Sequence, residues 1–316
     1  MPSFAAGLIP VLFLIALGAI LGKVGFLREE MVAGLKKIVS SVALPALLFG
    51  AFSHVKPDLA FISLALIIFA SCALMGFFGS IFSRLFHLPH PATTFLFEGF
   101  EAGMLGYALF AALFGKMNIS TFATADLGQV LFVFIVLLSQ MKASETERER
   151  AFDFAAFFKR LISSPPLIAI LLGIAASLLA PGAQSTPWGE GGFLIPLLDT
   201  VGSLTTPLVC LVVGYGLISF SLSDSLSTLI TVVLRFALAL LLGGLTAFII
   251  VPLLGFGKLQ SIAVLALFIL PPPFVIPVFR TKRGDAAYIS AVLSLHTVVS
   301  LLAFIILAAF YGAVGA

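Results

Sequence analysis

Apolar segments about twenty residues long recur along this chain, at roughly 4–22, 33–53, 59–83, 91–115, 119–141, 164–182, 192–219, 227–254, 259–279 and 287–313. A hydrocarbon core of about 30 Å is crossed by about 20 residues of α-helix. The pattern therefore predicts an all-α integral membrane protein with ten transmembrane helices. Composition agrees, since only 10% of the 316 residues are charged and 61% are hydrophobic, whereas about a quarter of a soluble domain is charged. The start lacks the basic, apolar and small-residue pattern of a cleaved signal peptide, so the first segment reads as a retained span. Cys72 and Cys210 both fall in apolar segments and read as small core residues, not as a disulfide or a metal site.

With ten spans both termini lie on one side. Placing them outside puts Lys23, Arg28, Lys36, Lys37, Arg84, Lys142, Arg148, Arg150, Lys159, Arg160, Arg280, Lys282 and Arg283 on the cytoplasmic side. Only Lys56, Lys116 and Lys258 fall outside, and Arg235 lies within a span. That bias fixes the expected orientation. Residues 142–163 form a cytoplasmic linker whose Phe154, Phe157 and Phe158 predict a short interfacial helix. The linker separates a first five-helix repeat, 1–141, from a second, 164–316. An odd number of spans per half inverts the second half, an arrangement common in secondary transporters. "VALPALLFGAF" in span 2 and "LTTPLVCLVVGYG" in span 7 align Pro45 with Pro207, and Gly18 and Gly173 lie midway along spans 1 and 6.

The fourth span of each half is interrupted. Span 9 reads "FILPPPFVIPVFR", with Pro271, Pro272, Pro273 and Pro277; span 4 reads "FEGFEAGMLGYALF", with Gly99, Gly103 and Gly106. Proline removes a backbone donor and costs roughly 3 kcal/mol in a helix interior. Irregular backbone is tolerated at membrane depth only inside protein or beside a water-filled cavity, and paired interruptions point to a transporter's binding site. Glu101, Gly103, Gly106, Pro271, Pro272 and Pro273 are therefore candidate substrate-site residues, together with the paired prolines Pro45 and Pro207.

Ionisable groups inside spans are costly and point to function. Glu98 and Glu101 lie three residues apart, which places them on one helical face. Two close carboxylates resist double ionisation, so the pair can carry a coupling proton or hold Na⁺. Asp126 and Gln129, also one turn apart, either line the same cavity or form a packing pair bonded to Ser or Thr. His296, followed by Thr297, is a candidate proton relay. Arg235 is expected to snorkel to the interface, with a carboxylate such as Asp199 or an anionic substrate as alternative partners. The ion-coupling candidates are thus Glu98, Glu101, Asp126, Gln129 and His296.

The opening "LIPVLFLIALGAILGKVGFLREEMVAGLKKIVSSVALPALLF", "ADLGQ" at 125–129, "TTPLVCLVVGYGL" and the proline-rich ninth span together resemble the auxin efflux carrier family. That family includes plant auxin exporters and bacterial carriers of malonate and related acids, and is similar to the bile acid/sodium symporters. The resemblance implies two inverted five-helix repeats with helices 4 and 9 broken and crossing at the substrate site. It also implies a mobile transport domain against a scaffold, a homodimer, and a bacterial inner-membrane location. One departure stands out. Where relatives carry a pattern like Asn-x-Gly-x-x-Gly-x-Pro, this chain reads "EAGMLGYA", with Glu101 in the asparagine position and Ala108 in the proline position.

No nucleotide-binding, zinc-protease or nucleophile-elbow pattern is present. The expectation is a secondary active transporter of a small organic anion, a mono- or dicarboxylate, working by elevator-type alternating access and coupled to protons. Its partners are the substrate and the bilayer, with no cofactor beyond H⁺ or Na⁺ and no nucleic acid. A sodium-coupled symporter and a passive anion channel are the alternatives, while short loops argue against a membrane enzyme or receptor.

Overall fold

The computed structural model describes residues 4–53, 55, 57–145, 164–179, 193–218, 225–279 and 285–314. Every regular element among them is helical. The first half holds α1 (Phe4–Lys23), α2 (Glu29–Ser53), α3 (Leu59–Leu85), α4 (Ala92–Phe97), α5 (Tyr107–Phe114) and α6 (Lys116–Met141). The second holds α7 (Pro165–Leu179), α8 (Leu194–Gly202), α9 (Thr205–Ile218), α10 (Leu226–Leu253), α11 (Lys258–Phe268), α12 (Ile276–Phe279) and α13 (Ala286–Val314). Most of the linker, including its expected interfacial helix, lies outside the described residues, as do Arg280, Lys282 and Arg283.

Among the described residues, seven segments are long and apolar enough to cross a membrane: α2, α3, α4 with α5, α6, α8 with α9, α10 and α13. α1, α7 and α11 are shorter apolar helices. α3 shows how the sequence sets such a span. Asp58 caps its start by accepting from the Phe61 N–H at 2.8 Å, and a mainly apolar helix of 27 residues follows, a length of about 40 Å at ~1.5 Å per residue. Outward-facing Ile62, Leu66 and Phe77 stay exposed, as do Leu229, Val233 and Leu240 on α10, which suits a lipid-facing surface. Wide, π-type turns interrupt α2 at Val39–Ala43, α6 at Val133–Leu137 and α10 at Thr246–Ile250, and another leads into α5 at Ala102–Gly106.

Helix contacts in the two halves match. α1 packs along α9, and α7 packs along α2. A Cβ on Gly18 would fall 2.3 Å from the Leu211 carbonyl oxygen, and one on Gly173 would fall 2.9 Å from the Phe49 oxygen. Leu211 lies four residues after Pro207, and Phe49 four residues after Pro45. The interrupted spans match as well. α4 ends on Phe97, against Gly79 of α3, where a Cβ would lie 2.7 Å from the Phe97 Cβ. α11 ends on Phe268, against Gly243 of α10, where the same distance is 2.6 Å. Small residues let these backbones approach closely, the usual device of helix contacts in membranes.

Candidate functional site

The two interruptions meet in the interior. α4 stops at Phe97; Glu98 is extended, Gly99 is left-handed at φ +74°, and helical backbone resumes at Ala102. Only glycine adopts that conformation without strain, and a Cβ there would also strike Val133 at 2.6 Å. α11 stops at Phe268, and helix resumes at Ile276 after Pro271–Pro273. Prolines offer carbonyls and no N–H, so Phe274 carries the first backbone donor after them. The Glu101 N–H donates to the Pro271 carbonyl at 2.8 Å. One Glu101 carboxylate oxygen, Oε1, accepts from the Met104 N–H at 2.9 Å, and Oε2 accepts from the Phe274 N–H. A single buried residue thus ties the resumed half of one span to the break in the other.

Arg235 holds the opposite ends. It is fully buried on α10. Its guanidinium donates to the Leu96 carbonyl at 2.7 Å, the Gly99 carbonyl at 2.8 Å and the Leu270 carbonyl at 3.0 Å, and pairs with His296 Nε2 at 2.9 Å. It also lies over the Phe100 ring, 5.3 Å from the centroid. The first three acceptors are carbonyls left free where α4 and α11 end, the groups a cation favours. Expected to snorkel to the interface, Arg235 instead lies wholly inside, because its planar fork finds four partners there. Asp199, named as an alternative partner, is exposed on α8.

The other candidates divide. Glu98 and Glu101 do not share a helical face, because the break falls between them. Glu98 turns toward α3 and α6, where Gln140, with its amide nitrogen facing the carboxylate, donates to it at 3.0 and 3.3 Å. Asp126 and Gln129 form a buried pair: Gln129 Nε2 donates to Asp126 Oδ1 at 2.8 Å and the Tyr107 hydroxyl to Oδ2 at 3.0 Å. Gln129 Oε1 is buried without a partner among the described residues and faces Gly99, where a Cβ would lie 3.4 Å away. His296 sits between Arg235 and the Ser300 hydroxyl, 3.2 Å from its Nδ1. Gly106 lies against Leu270 and Phe122; Gly103 is half-buried beside Leu44 and Glu101. Pro272 and Pro273 are buried within the second break. Pro45 instead lines a separate apolar groove of about 540 Å³ between α2, α7 and α8, and Pro207 is half-buried early in α9.

Sequence reasoning missed Phe274, Tyr107 and Gln140 as partners. The signal for Phe274 was present, since it follows the last of three consecutive prolines. For Tyr107 and Gln140 the partners come from other spans, and spacing along the chain carries no sign of them.

A multi-pass helical protein whose buried polar groups gather at two interrupted spans belongs to the class of membrane transporters. The comparisons agree. The chain matches the family model described as "Membrane transport protein" over residues 4–308 and belongs to that family, the auxin efflux carrier family. It is also 32% identical over 200 residues to an "Uncharacterized transporter" of Methanothermobacter thermautotrophicus (strain ATCC 29096 / DSM 1053 / JCM 10044 / NBRC 100330 / Delta H). That match covers 60% of this chain and 63% of the relative's length.

Proposed function

We propose that this protein is a secondary active carrier of a small organic anion, a mono- or dicarboxylate, with its substrate site at the crossing of the two interrupted spans. One observation carries the reading. Backbone N–H groups of both interrupted spans converge there on a carboxylate, that of Glu101. Donors that satisfy one carboxylate have the geometry for another. Ten spans in two inverted five-helix repeats, 1–141 and 164–316, with both termini outside a bacterial inner membrane, complete the architecture. The matched glycine contacts of the two halves support the repeat. In this scheme α3, α6, α10, α11 and α13 move with the crossing against a scaffold of α1, α2, α7 and α9, an elevator-type exchange in which Glu101 couples cargo to an ion. Protons are the favoured ion and Na⁺ the alternative; a homodimer is the proposed assembly.

Counterflow in proteoliposomes tests this. Vesicles loaded with unlabelled malonate take up labelled malonate or acetate faster than empty ones, and saturably. Unitary currents in planar bilayers, without counterflow, would instead establish a passive anion channel.

A further inference from the structure

We propose that the Glu101 carboxylate is itself the resident ligand of the crossing, and that a cargo carboxylate binds by taking over its backbone donors while Glu101 takes up a proton. The inference rests on the crossing being the cargo site, and it adds what occupies that site beforehand. Both Glu101 carboxylate oxygens are engaged, one by the N–H of Met104 and the other by that of Phe274. The residue is 7% exposed. In the break of span 9, Pro271–Pro273 supply no N–H, so the first donor an incoming anion meets after them is the one that Glu101 already uses.

Two carboxylates cannot share these donors while both are charged, because like charges at close range in a buried site repel strongly. The exchange balances with one proton. The proton binds a Glu101 oxygen, the two N–H···O bonds pass to the cargo, and the site's net charge is unchanged. A second observation points the same way. Gln129 is 3% exposed, and its Oε1, without a partner among the described residues, faces the neighbouring Gly99 and offers an acceptor that only a proton-bearing group can satisfy.

The charged and titratable groups around Glu101 are Lys36 on α2 and Asp126 on α6, with Tyr107 bonded to Asp126. Beyond Gly99 lie Glu98 and Arg235, which reaches His296, while α9, packed against Ala102–Gly106, carries Tyr215 and Cys210. Lys36 is the cation among those facing Glu101 from its own side, and it remains available to the cargo once Glu101 is neutral.

The test is binding of acetate and of malonate to the purified full-length protein by calorimetry, at about pH 6 and about pH 8, where acetate is ionised throughout. One proton taken up per anion gives wild type about tenfold weaker binding per pH unit, so about 100-fold across the range. Glu101→Gln removes the competing charge and flattens that dependence to within about twofold, with tighter binding than wild type at the higher pH. Glu101→Ala is expected to behave alike, and if it does not fold, the glutamine variant decides. A wild type without the slope, or a glutamine variant that keeps it, overturns the proposal while leaving the carrier reading intact. If neither protein binds either acid at either pH, the carboxylate-cargo reading fails and this inference falls with it.

Discussion

The break between α4 and α5 is made of Glu98, Gly99, Phe100 and Glu101; the break between α11 and α12 runs through Leu270 and Pro271–Pro273. Both follow a helix that ends on a phenylalanine packed against a glycine of the span before it. Their chemistry is opposite. The first gains its freedom from a left-handed glycine and carries two carboxylates. The second has no ionisable side chain and gains its shape from residues that lack an N–H. Proline removes donors that would otherwise need partners inside a membrane, so the second break is rigid and rich in acceptors, and the first adapts and carries charge. In the proposed carrier, a crossing built from one of each changes its charge at Glu101 without losing its frame.

The largest expected effect comes from removing what both breaks share. Arg235→Leu strands the Leu96, Gly99 and Leu270 carbonyls, and about 1–3 kcal/mol for each buried unsatisfied group predicts severe loss of thermal stability in detergent and no transport. Arg235→Lys should recover only part of it, since a single ammonium cannot reach the same set of acceptors. Wild-type melting of either variant would break the view that one cation holds both breaks.

Next in size is Gly99→Ala. The left-handed conformation costs a non-glycine residue roughly 1–2 kcal/mol, and the new methyl meets Val133. Transport should fall about tenfold for the roughly 1.4 kcal/mol involved, with partial recovery in the double variant with Val133→Ala. Leu270→Ala in the other break leaves the proline-set backbone alone and acts through packing: truncating this fully buried leucine costs about 2–5 kcal/mol, read as a lower melting temperature that Val133→Ala does not relieve. Recovery of Leu270→Ala by Val133→Ala would show that the two breaks do not differ in this way.

Gly79→Val and Gly243→Val sharpen the comparison further. Overpacking of this kind costs typically about 1–3 kcal/mol, and matched surroundings predict similar falls in melting temperature. The smallest effect belongs to Asp199→Asn, an exposed position where stability should stay within about 0.5 kcal/mol; a larger change would mean that Arg235 has a distant counter-charge.

Much of the fold was legible in the sequence. The apolar segments all carry helix among the described residues, and the two interruptions fall where the glycines and prolines placed them. Hydropathy reports those features directly because lipid imposes them on each span separately. The site was legible in its members but not in its pairings. Spacing put Glu98 and Glu101 on one face, yet the break between them turns their carboxylates to different neighbours. Arg235 was noticed as the one basic residue in a span interior, but its acceptors are carbonyls of distant segments. A sequence marks where backbone breaks more readily than which group in the fold then finds the freed carbonyls.

The three prolines also make the second break nearly silent to hydrogen–deuterium exchange. Between Ile269 and Ile276 the exchangeable amides belong to Ile269, Leu270, Phe274, Val275 and Ile276. Those of Ile269, Leu270 and Ile276 are bonded within their own segment, to Leu265, Leu267 and Pro273. Isotope uptake by a peptide from this stretch therefore reads chiefly the amide that Glu101 holds and its immediate successor, a natural label at the crossing that needs no added probe.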